Sequence, residues 1–312
     1  MELRFFLFMT TLKYFIVDVF AQKKFTGNPV AVVEVEKPLD ESLMLKIAQE
    51  MNFRETSFVS TEPNEAGHYK LRIFTPKKEV AFSGHPTLGT AYVIKHYLSY
   101  NKENNISLQL KSGITSVQCI TVKKNGSDFI SKKKSILLSD QKQPEFGHIF
   151  EPVLLSRVLG IEPADIDSEY PIQEVFSGLG FIIVPIKTLK KLKEIKINSE
   201  RYNWLVQKTK AKVIQAFCHE TENPEHNIHT RVFADYYKIP EDAASGSGAG
   251  CLAAYVVKYD YFNQSNIELL VEQGYEIGRP SLIIAKASLK DDSLDVNIGG
   301  RVILSAKGEI II

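Results

Sequence analysis

Glu55 stands where a side-chain carboxyl group can move a proton. It follows an amphipathic helix predicted over residues 38–51, at a point where the chain changes direction, and it lies between Phe53 and Phe58. A carboxyl group buried among apolar side chains has a raised pKa, so it can hold or accept a proton near neutrality. The alternative is an exposed ion pair between Arg54 and Glu55 at the end of a helix.

Two Ser-Gly turns, Ser83-Gly84 and Ser245-Gly246, each lead into a long run of uncharged residues. The runs end at Lys95 and Lys258, and a glutamate precedes each turn. A serine followed by such a run predicts the start of a helix that is apolar on all sides and therefore buried. If the N-termini of two such helices meet, their free backbone N–H groups form a site for an anion such as a carboxylate.

Residues at these turns are further candidates for catalysis and substrate binding. His85 can hydrogen-bond a substrate or relay a proton, or else it is a helix-end histidine bonded to backbone. Asp242 can bind a substrate amine or hydroxyl group, or it can cap the second helix. Ser247 and the backbone amide of Gly246 can donate to the same anion, and Gly84 and Gly246 let the backbone approach a ligand closely.

The turns belong to a longer internal repeat. Arg72-Ile-Phe74 precedes the first turn as Arg231-Val-Phe233 precedes the second, and Asp18-Val-Phe20 stands upstream as Glu174-Val-Phe176 does. Self-similarity in the same order predicts two copies of one structural unit. Chance similarity between Ser-Gly turns is the alternative.

Strand patterns dominate both halves of the chain, and each half contains one predicted buried helix. We therefore expect an α+β fold with two pseudo-symmetric domains, each a barrel-like β-sheet wrapped around a central helix. The polar stretch from Asp140 to Phe150 marks the boundary, which gives half-repeats at residues 9–140 and 150–294. Gly299-Gly300 predicts a hairpin turn between the last two strands.

Composition restricts the class of function. The 312 residues are 44% hydrophobic, which is enough for a large core or two domains. With 38 basic and 37 acidic residues the chain is nearly neutral, so we expect no nucleic-acid partner and no membrane partner. Three cysteines without metal or disulfide spacing indicate a reducing compartment, and we expect a cytoplasmic protein. Residues 1–8 are expected to be an extension rather than a signal peptide.

Motifs for common ligands are not found. Gly246-Ser-Gly-Ala-Gly250 differs from the dinucleotide-binding glycine pattern, and no Walker motif occurs. His219, His226 and His229 could suggest a metal, but their spacing fits no recognised site. We expect a solvated loop there and no metal.

These residues, with several further motifs, resemble the PhzF family of phenazine biosynthesis-like isomerases. The resemblance runs from about Lys13 to the C-terminus, and its strength lies in the combination of motifs. The matching stretches are Val17-Asp-Val-Phe20, Phe25-Thr-Gly-Asn-Pro-Val-Ala-Val32, Arg54-Glu-Thr-Ser-Phe58, Arg72-Ile-Phe-Thr-Pro76, Phe82-Ser-Gly-His-Pro-Thr-Leu-Gly89, Arg231-Val-Phe-Ala234, Glu241-Asp-Ala-Ala-Ser-Gly-Ser-Gly-Ala-Gly250 and Gly278-Arg-Pro-Ser281.

The resemblance implies a fold like that of diaminopimelate epimerase, with the site between two similar domains. It implies that the C-terminal strands, about residues 295–312, return to the first domain. It further implies an enzyme that needs no cofactor and that forms a homodimer.

The resemblance also implies a role for each site residue. Glu55 would be the catalytic acid/base, and His85 would assist it and contact substrate. Asp242 and Ser247 would hold the substrate, while the backbone of the two Ser-Gly turns would bind its carboxylate. Serines stand in these turns where related epimerases place catalytic cysteines, so we do not expect racemisation by two thiols.

The function we expect is isomerisation or epimerisation of a small carboxylated metabolite by proton transfer at carbon. A non-catalytic protein that binds a small carboxylate on the same scaffold is the alternative from another class. A metal-dependent lyase that uses the region from His219 to His229 is a third hypothesis.

Overall fold

The computed structural model describes residues 10–98, 104–121, 135–290 and 293–312. The predicted start of the first half-repeat, at residue 9, lies outside these ranges. Within them, no helix is both long enough and apolar enough to cross a membrane.

Strands supply most of the regular structure. In the first half of the chain they are β1 (Thr11–Val19), β2 (Asn28–Val35), β3 (Thr56–Ser60), β4 (His68–Phe74), β5 (Glu79–Val80), β6 (Asn105–Leu110), β7 (Gly113–Thr121) and β8 (Ser135–Asp140). In the second half they are β9 (Glu145–Phe150), β10 (Ile172–Ser177), β11 (Leu179–Pro185), β12 (Val213–Cys218), β13 (Ile228–Phe233), β14 (Asn266–Gln273), β15 (Ser281–Lys290), β16 (Ser293–Gly300) and β17 (Val302–Ile311).

Helices are fewer. The α-helices are α1 (Glu41–Met51), α2 (Gly84–Val93), α3 (Pro152–Leu159), α4 (Leu189–Glu194), α5 (Ser199–Lys208) and α6 (Gly246–Lys258). A π-helical turn, Ile94–Leu98, continues α2, and short 3-10 turns lie at Pro163–Asp165 and Asp235–Tyr237.

The strands form one continuous sheet with two parts. The first part has the order β17-β1-β2-β3-β4-β6-β7-β8, with β5 as a short additional partner of β4. The second part has the order β16-β15-β14-β13-β12-β11-β10-β9. β8 and β16 pair antiparallel and join the parts. Among the described residues β17 and β9 each pair on one side only, so the sheet is not closed.

The two parts repeat each other strand by strand, which confirms the predicted α+β class with two pseudo-symmetric units. β1–β2 and β10–β11 are antiparallel, whereas β2–β3 and β11–β12 are parallel. β4–β6 and β13–β14 are again both parallel. The domain limits at 9–140 and 150–294 stay a prediction, and the expected polar boundary contains strand β9.

The predicted hairpin at Gly299-Gly300 is wrong. β16 pairs with β15 and β8, whereas β17 pairs antiparallel with β1 in the first part. A Cβ at Gly299 would collide with the backbone of Leu137, so the glycine permits a close approach between β16 and β8. These two glycines therefore mark a crossing between the parts rather than a reversal of the chain.

Each part wraps around one buried helix, as the uncharged runs predict. All of α2 from His85 to Ala91 is buried, and so is α6 from Gly248 to Val257. A helix that is buried on every side needs small or apolar side chains on every face. The two helices also contact each other, so the two parts share one core.

The outer faces carry the amphipathic helices. α1 buries Met44, Ile47 and Ala48 against the first part of the sheet. α3 and α5 cover the second part in the same way. α1 ends at Met51, and the left-handed backbone of the next residue, Asn52 (φ 51°), turns the chain back towards β3. That turn places Glu55 directly before the first residue of β3.

A buried cluster of histidines and carboxylates corrects the expectation of a solvated loop. His226 Nδ1 lies 2.6 Å from Glu272 Oε1, and His229 Nδ1 lies 2.7 Å from Glu272 Oε2. Glu276 Oε1 lies 3.1 Å from His229 Nε2. Only His219 is exposed as expected. Among the described residues, no group of three or more His, Cys, Asp or Glu side chains is arranged to hold a metal ion.

This cluster makes the stability depend on pH. Burial alone would lower the pKa of His229, but hydrogen bonds to Glu272 and Glu276 raise it to about 9. Burial alone would raise the pKa of Glu272, but both histidines lower it to about 2. The contribution of His229 is complete below its ordinary pKa of 6.5 and is lost as the pH rises towards 9. That of Glu272 is complete above 4.5 and is lost as the pH falls towards 2.

We expect Glu272→Gln to lower the free energy of unfolding by about 2 kcal/mol near pH 5.5, because it removes one of the two carboxylates, Glu272 and Glu276, that raise the pKa of His229. The loss should be smaller near pH 9.5, where His229 is neutral in the native protein as well. Denaturant unfolding at both pH values measures the difference, with the exposed Glu268→Gln on the same strand as the control. An equal loss at both pH values would contradict this expectation.

Candidate active site

Glu55 is buried at the start of β3 and faces the N-terminus of α2. The residue is only 6% exposed, which excludes the alternative of an exposed Arg54–Glu55 pair. The Ser83 hydroxyl donates to Glu55 Oε2 at 2.7 Å, and His85 Nδ1 lies 3.4 Å from the same oxygen. The structure therefore brings Glu55 and His85 together.

Burial raises the pKa of Glu55 above its ordinary value of 4.5. The positive charge of Arg54 and the hydrogen bond from Ser83 act in the opposite direction but do not cancel the effect of burial, and the charge of Asp242 adds to the rise. A carboxyl group with a raised pKa can both donate and accept a proton closer to neutrality.

His85 is held as a neutral imidazole. Burial lowers its pKa well below 6.5, and the charge of Arg54 lowers it further. Its Nε2 is buried and has no hydrogen-bond partner in the described part of the chain. Because Nδ1 faces Glu55, Nε2 is the atom of this ring that can bond a bound molecule.

Asp242 reaches the same place from the second part of the sheet. One carboxylate oxygen forms an ion pair with Arg54, and the other accepts from Asn28 Nδ2 at 3.1 Å. Asp242 does not cap α6, since the Ser245 hydroxyl accepts the Gly248 N–H at 3.2 Å and performs that role. Arg54 thus lies between Asp242, its ion-pair partner, and Glu55, the residue that follows it in the chain.

The positive charge of Arg54 is balanced by the carboxylates that lie beside it. Burial alone would lower the pKa of Arg54, but the carboxylates of Asp242 and Glu55 outweigh this and raise it. Arg54 is therefore a permanent cation beside two acids. A buried cation of this kind needs at least one carboxylate partner.

The remaining predicted site residues lie at the two helix N-termini. Gly84 begins α2, and Gly246 and Ser247 begin α6. A Cβ at Gly84 would meet no atom within 4 Å, whereas one at Gly246 would lie 3.3 Å from the Phe20 ring. Their predicted binding of a carboxylate, and the roles predicted for Glu55, His85 and Asp242, stay predictions.

Sequence reasoning missed three participants. Arg54 was expected only as a surface partner of Glu55, and Asn28 was given no role of its own. Ser83 was expected only as the start of α2, yet its hydroxyl bonds Glu55 rather than the helix backbone. The signal available in the sequence was the position of Arg54 and Asn28 inside motifs of the resemblance.

Each Ser-Gly turn is supported by an arginine from the preceding strand. Arg72 forms two hydrogen bonds to Glu79, and Arg231 forms two to Glu241. Arg231 is more deeply buried, and its Nη1 also donates to three backbone carbonyl groups near α4. These two ion pairs explain why an arginine and a glutamate recur in both halves of the sequence.

A separate surface cavity of about 550 Å³ lies between β9, β10 and α5. Phe146, Phe176, Trp204 and Glu174 are among its lining residues. None of the predicted site residues lines it, so this cavity is not the predicted active site.

An open two-part sheet around two buried helices, with a buried acid and a neutral histidine where the parts meet, fits the fold that the resemblance implies. Comparison with known proteins agrees. Residues 17–308 match the phenazine biosynthesis-like protein family, PhzC-PhzF. A trans-2,3-dihydro-3-hydroxyanthranilate isomerase of Pseudomonas chlororaphis is 32% identical over 302 residues, covering 96% of this chain and 99% of its own.

Solved structures give the same result. The PhzF-family phenazine biosynthesis protein of Bacillus anthracis matches with a TM-score of 0.87 and 27% identity, covering 97% of this chain and 100% of its own. A hydroxyproline epimerase of Agrobacterium vitis shares the fold alone, with a TM-score of 0.60 and 9% identity over 97% of this chain and 93% of its own. The chain belongs to the phenazine biosynthesis-like (PhzF) family, and it is an enzyme of the isomerase class.

Proposed function

We propose that this isomerase moves a proton between carbon atoms of a small carboxylated substrate, with Glu55 as the acid/base. The observation that carries the proposal is the burial of Glu55 beside both Ser83 and His85 at the N-terminus of α2. As a carboxylate, Glu55 removes a proton from carbon. As the acid it returns the proton at a second position, so the residue is regenerated in each cycle.

The substrate's carboxylate binds at the N-termini of α2 and α6 in this proposal. The free N–H groups of a first helical turn and the helix dipole both favour an anion. His85, which is neutral, bonds the substrate through Nε2 without adding a charge. Asp242, fixed by Arg54 and Asn28, accepts from a hydroxyl or amino group of the substrate.

The polar groups of the proposed site indicate the class of substrate. A cyclic or short carboxylate that also carries a hydroxyl or amino group presents one anion and at least one donor. Trans-2,3-dihydro-3-hydroxyanthranilate, the compound in the names of several relatives, has these groups and is the first candidate to test. A homodimer and a cytoplasmic location remain predictions beside this one.

Turnover in heavy water tests the proposal. The purified protein is incubated with trans-2,3-dihydro-3-hydroxyanthranilate and with a panel of small amino and hydroxy carboxylates, and products are followed by NMR. We expect conversion of at least one compound with a carbon-bound hydrogen moved or exchanged for deuterium. Tight binding across the panel with no conversion and no exchange would contradict it and favour a binding protein.

A further inference from the structure

The loop from Asp242 to Ser245 is fixed by side chains of other elements. Gln273, fully buried at the end of β14, donates to the Asp242 carbonyl oxygen at 2.7 Å and accepts from the Ser245 amide at 3.1 Å. The Ser281 hydroxyl donates to the Ala243 carbonyl oxygen at 2.8 Å. A loop whose backbone groups are paired in this way holds one conformation.

Asn28 brings the first part of the sheet into this arrangement. Its buried Nδ2 donates to the Ala244 carbonyl oxygen at 2.8 Å as well as to Asp242 Oδ1. One side-chain amide of the first part therefore holds both the backbone and the carboxylate of the Asp242 loop. With Arg54 on the other oxygen, residues of the first part hold both oxygens of Asp242.

Arg279 of the second part holds the loop that carries Asn28. Its Nε donates to the Gly27 carbonyl oxygen at 3.0 Å, and its Nη2 donates to Thr26 O at 3.1 Å and Asp18 Oδ1 at 2.8 Å. The Gly27 amide in turn donates to the Pro280 carbonyl oxygen at 3.2 Å. Gly27 has a φ of 74°, which favours glycine, so this turn is specified by sequence.

We infer that Asn28 and Arg279 form a reciprocal clamp between the two parts, which positions Asp242 against Arg54 and so fixes the charges around Glu55. The inference rests on the proposed role of Glu55. Both are positioning residues that act through Asp242. The clamp gives a function to the Phe25–Asn28 and Gly278–Ser281 motifs, which the proposed chemistry does not otherwise use.

The clamp should affect the pKa of Glu55, whereas a purely structural contact would not. The charged and titratable side chains facing Glu55 are Arg54, Asp242 and His85, and Tyr237 faces Arg54. Asp242 favours the protonated form of Glu55 through its own charge and by neutralising Arg54. If the clamp opens and Asp242 withdraws, both effects weaken, so the pKa of Glu55 should fall.

The test is an NMR titration of Glu55 in protein labelled with ¹³C at glutamate carboxyl carbons, with the signal identified by its loss in Glu55→Gln. We expect Asn28→Ala and Arg279→Gln to lower the pKa of Glu55 by roughly half a unit or more. Arg279→Lys keeps a positive charge beside Asp18 but lacks the several donors of the guanidinium group, so it should lower the pKa of Glu55 less. Asp242→Asn should give a fall at least as large as either clamp variant.

Arg301→Gln is the control, because Arg301, at the crossing from β16 to β17, also donates to a backbone carbonyl group of the β1–β2 loop, that of Gln22 at 2.9 Å, but away from Thr26 and Gly27. It should leave the Glu55 titration unchanged. If Asn28→Ala and Arg279→Gln lower the melting temperature while Glu55 titrates as in the native protein, the clamp is only structural and the inference fails. The titration needs no substrate. A failure of the clamp inference can therefore be distinguished from a failure of the proposed isomerase activity.

Discussion

Replacing Glu55 with glutamine is expected to slow isomerisation by a factor of about 10² to 10⁴, the usual contribution of a positioned acid/base. Glutamine has nearly the same shape and can still accept from Ser83, but it cannot take up a proton from carbon. The rate is measured by NMR on a compound that the native protein converts. Exchange of substrate hydrogen with solvent should fall by a similar factor, because both depend on the same proton transfer.

Two controls separate this loss from damage to the fold. Glu50→Gln changes an exposed glutamate near the end of α1 and should leave the rate unchanged. Glu55→Gln itself should be at least as stable as the native protein above neutral pH. A raised carboxyl pKa means that stability falls as the pH rises through it, and glutamine cannot ionise. A near-native rate in Glu55→Gln would exclude Glu55 as the acid/base.

Replacing Arg231 with methionine is expected to lower the free energy of unfolding by about 3–5 kcal/mol, the cost of leaving a buried charge without its partner. The change leaves Glu241 without its guanidinium partner and removes the donor to the carbonyl groups of Leu192, Lys193 and Ile195. Denaturant unfolding near neutral pH measures the loss. Since Glu241 directly precedes Asp242, we also expect weaker turnover.

Arg72→Met is the matched control from the other half of the repeat. Arg72 also bonds a glutamate, Glu79, but it is more exposed, and Lys111 remains 3.6 Å from Glu79 after the change. The expected loss is therefore about 1 kcal/mol or less. Equal losses of unfolding free energy in the two variants would show that deeper burial does not make the Arg231 ion pair more stabilising than that of Arg72.

The sequence could predict features that depend on local pattern. The uncharged runs after the Ser-Gly turns predicted α2 and α6 as buried helices, because burial on every side requires small or apolar residues on every face. The repeated motifs predicted two copies of one unit, and the strand pairings repeat accordingly. Each motif occupies only a few consecutive residues, so a single sequence contains the signal.

Features that depend on distant partners could not be predicted from local pattern. The glycines at 299 and 300 carry a turn signal, but β17 joins β1 across nearly the whole chain, and no local pattern encodes that crossing. Arg54 pairs with Asp242 rather than only with its neighbour, Glu55. His226 and His229 lie in a polar stretch, and Glu272, 43 residues beyond His229, supplies the shared partner that their burial requires.

The most direct test of the account is a crystal structure of the protein with a bound small carboxylate, either the substrate or a planar analogue such as anthranilate. The account predicts that the carboxylate lies between the N-termini of α2 and α6 and accepts from their backbone N–H groups. Glu55 and His85 Nε2 should then face the body of the ligand. A carboxylate that binds instead in the cavity beside Trp204, leaving Glu55 without contact to it, would contradict the central claim.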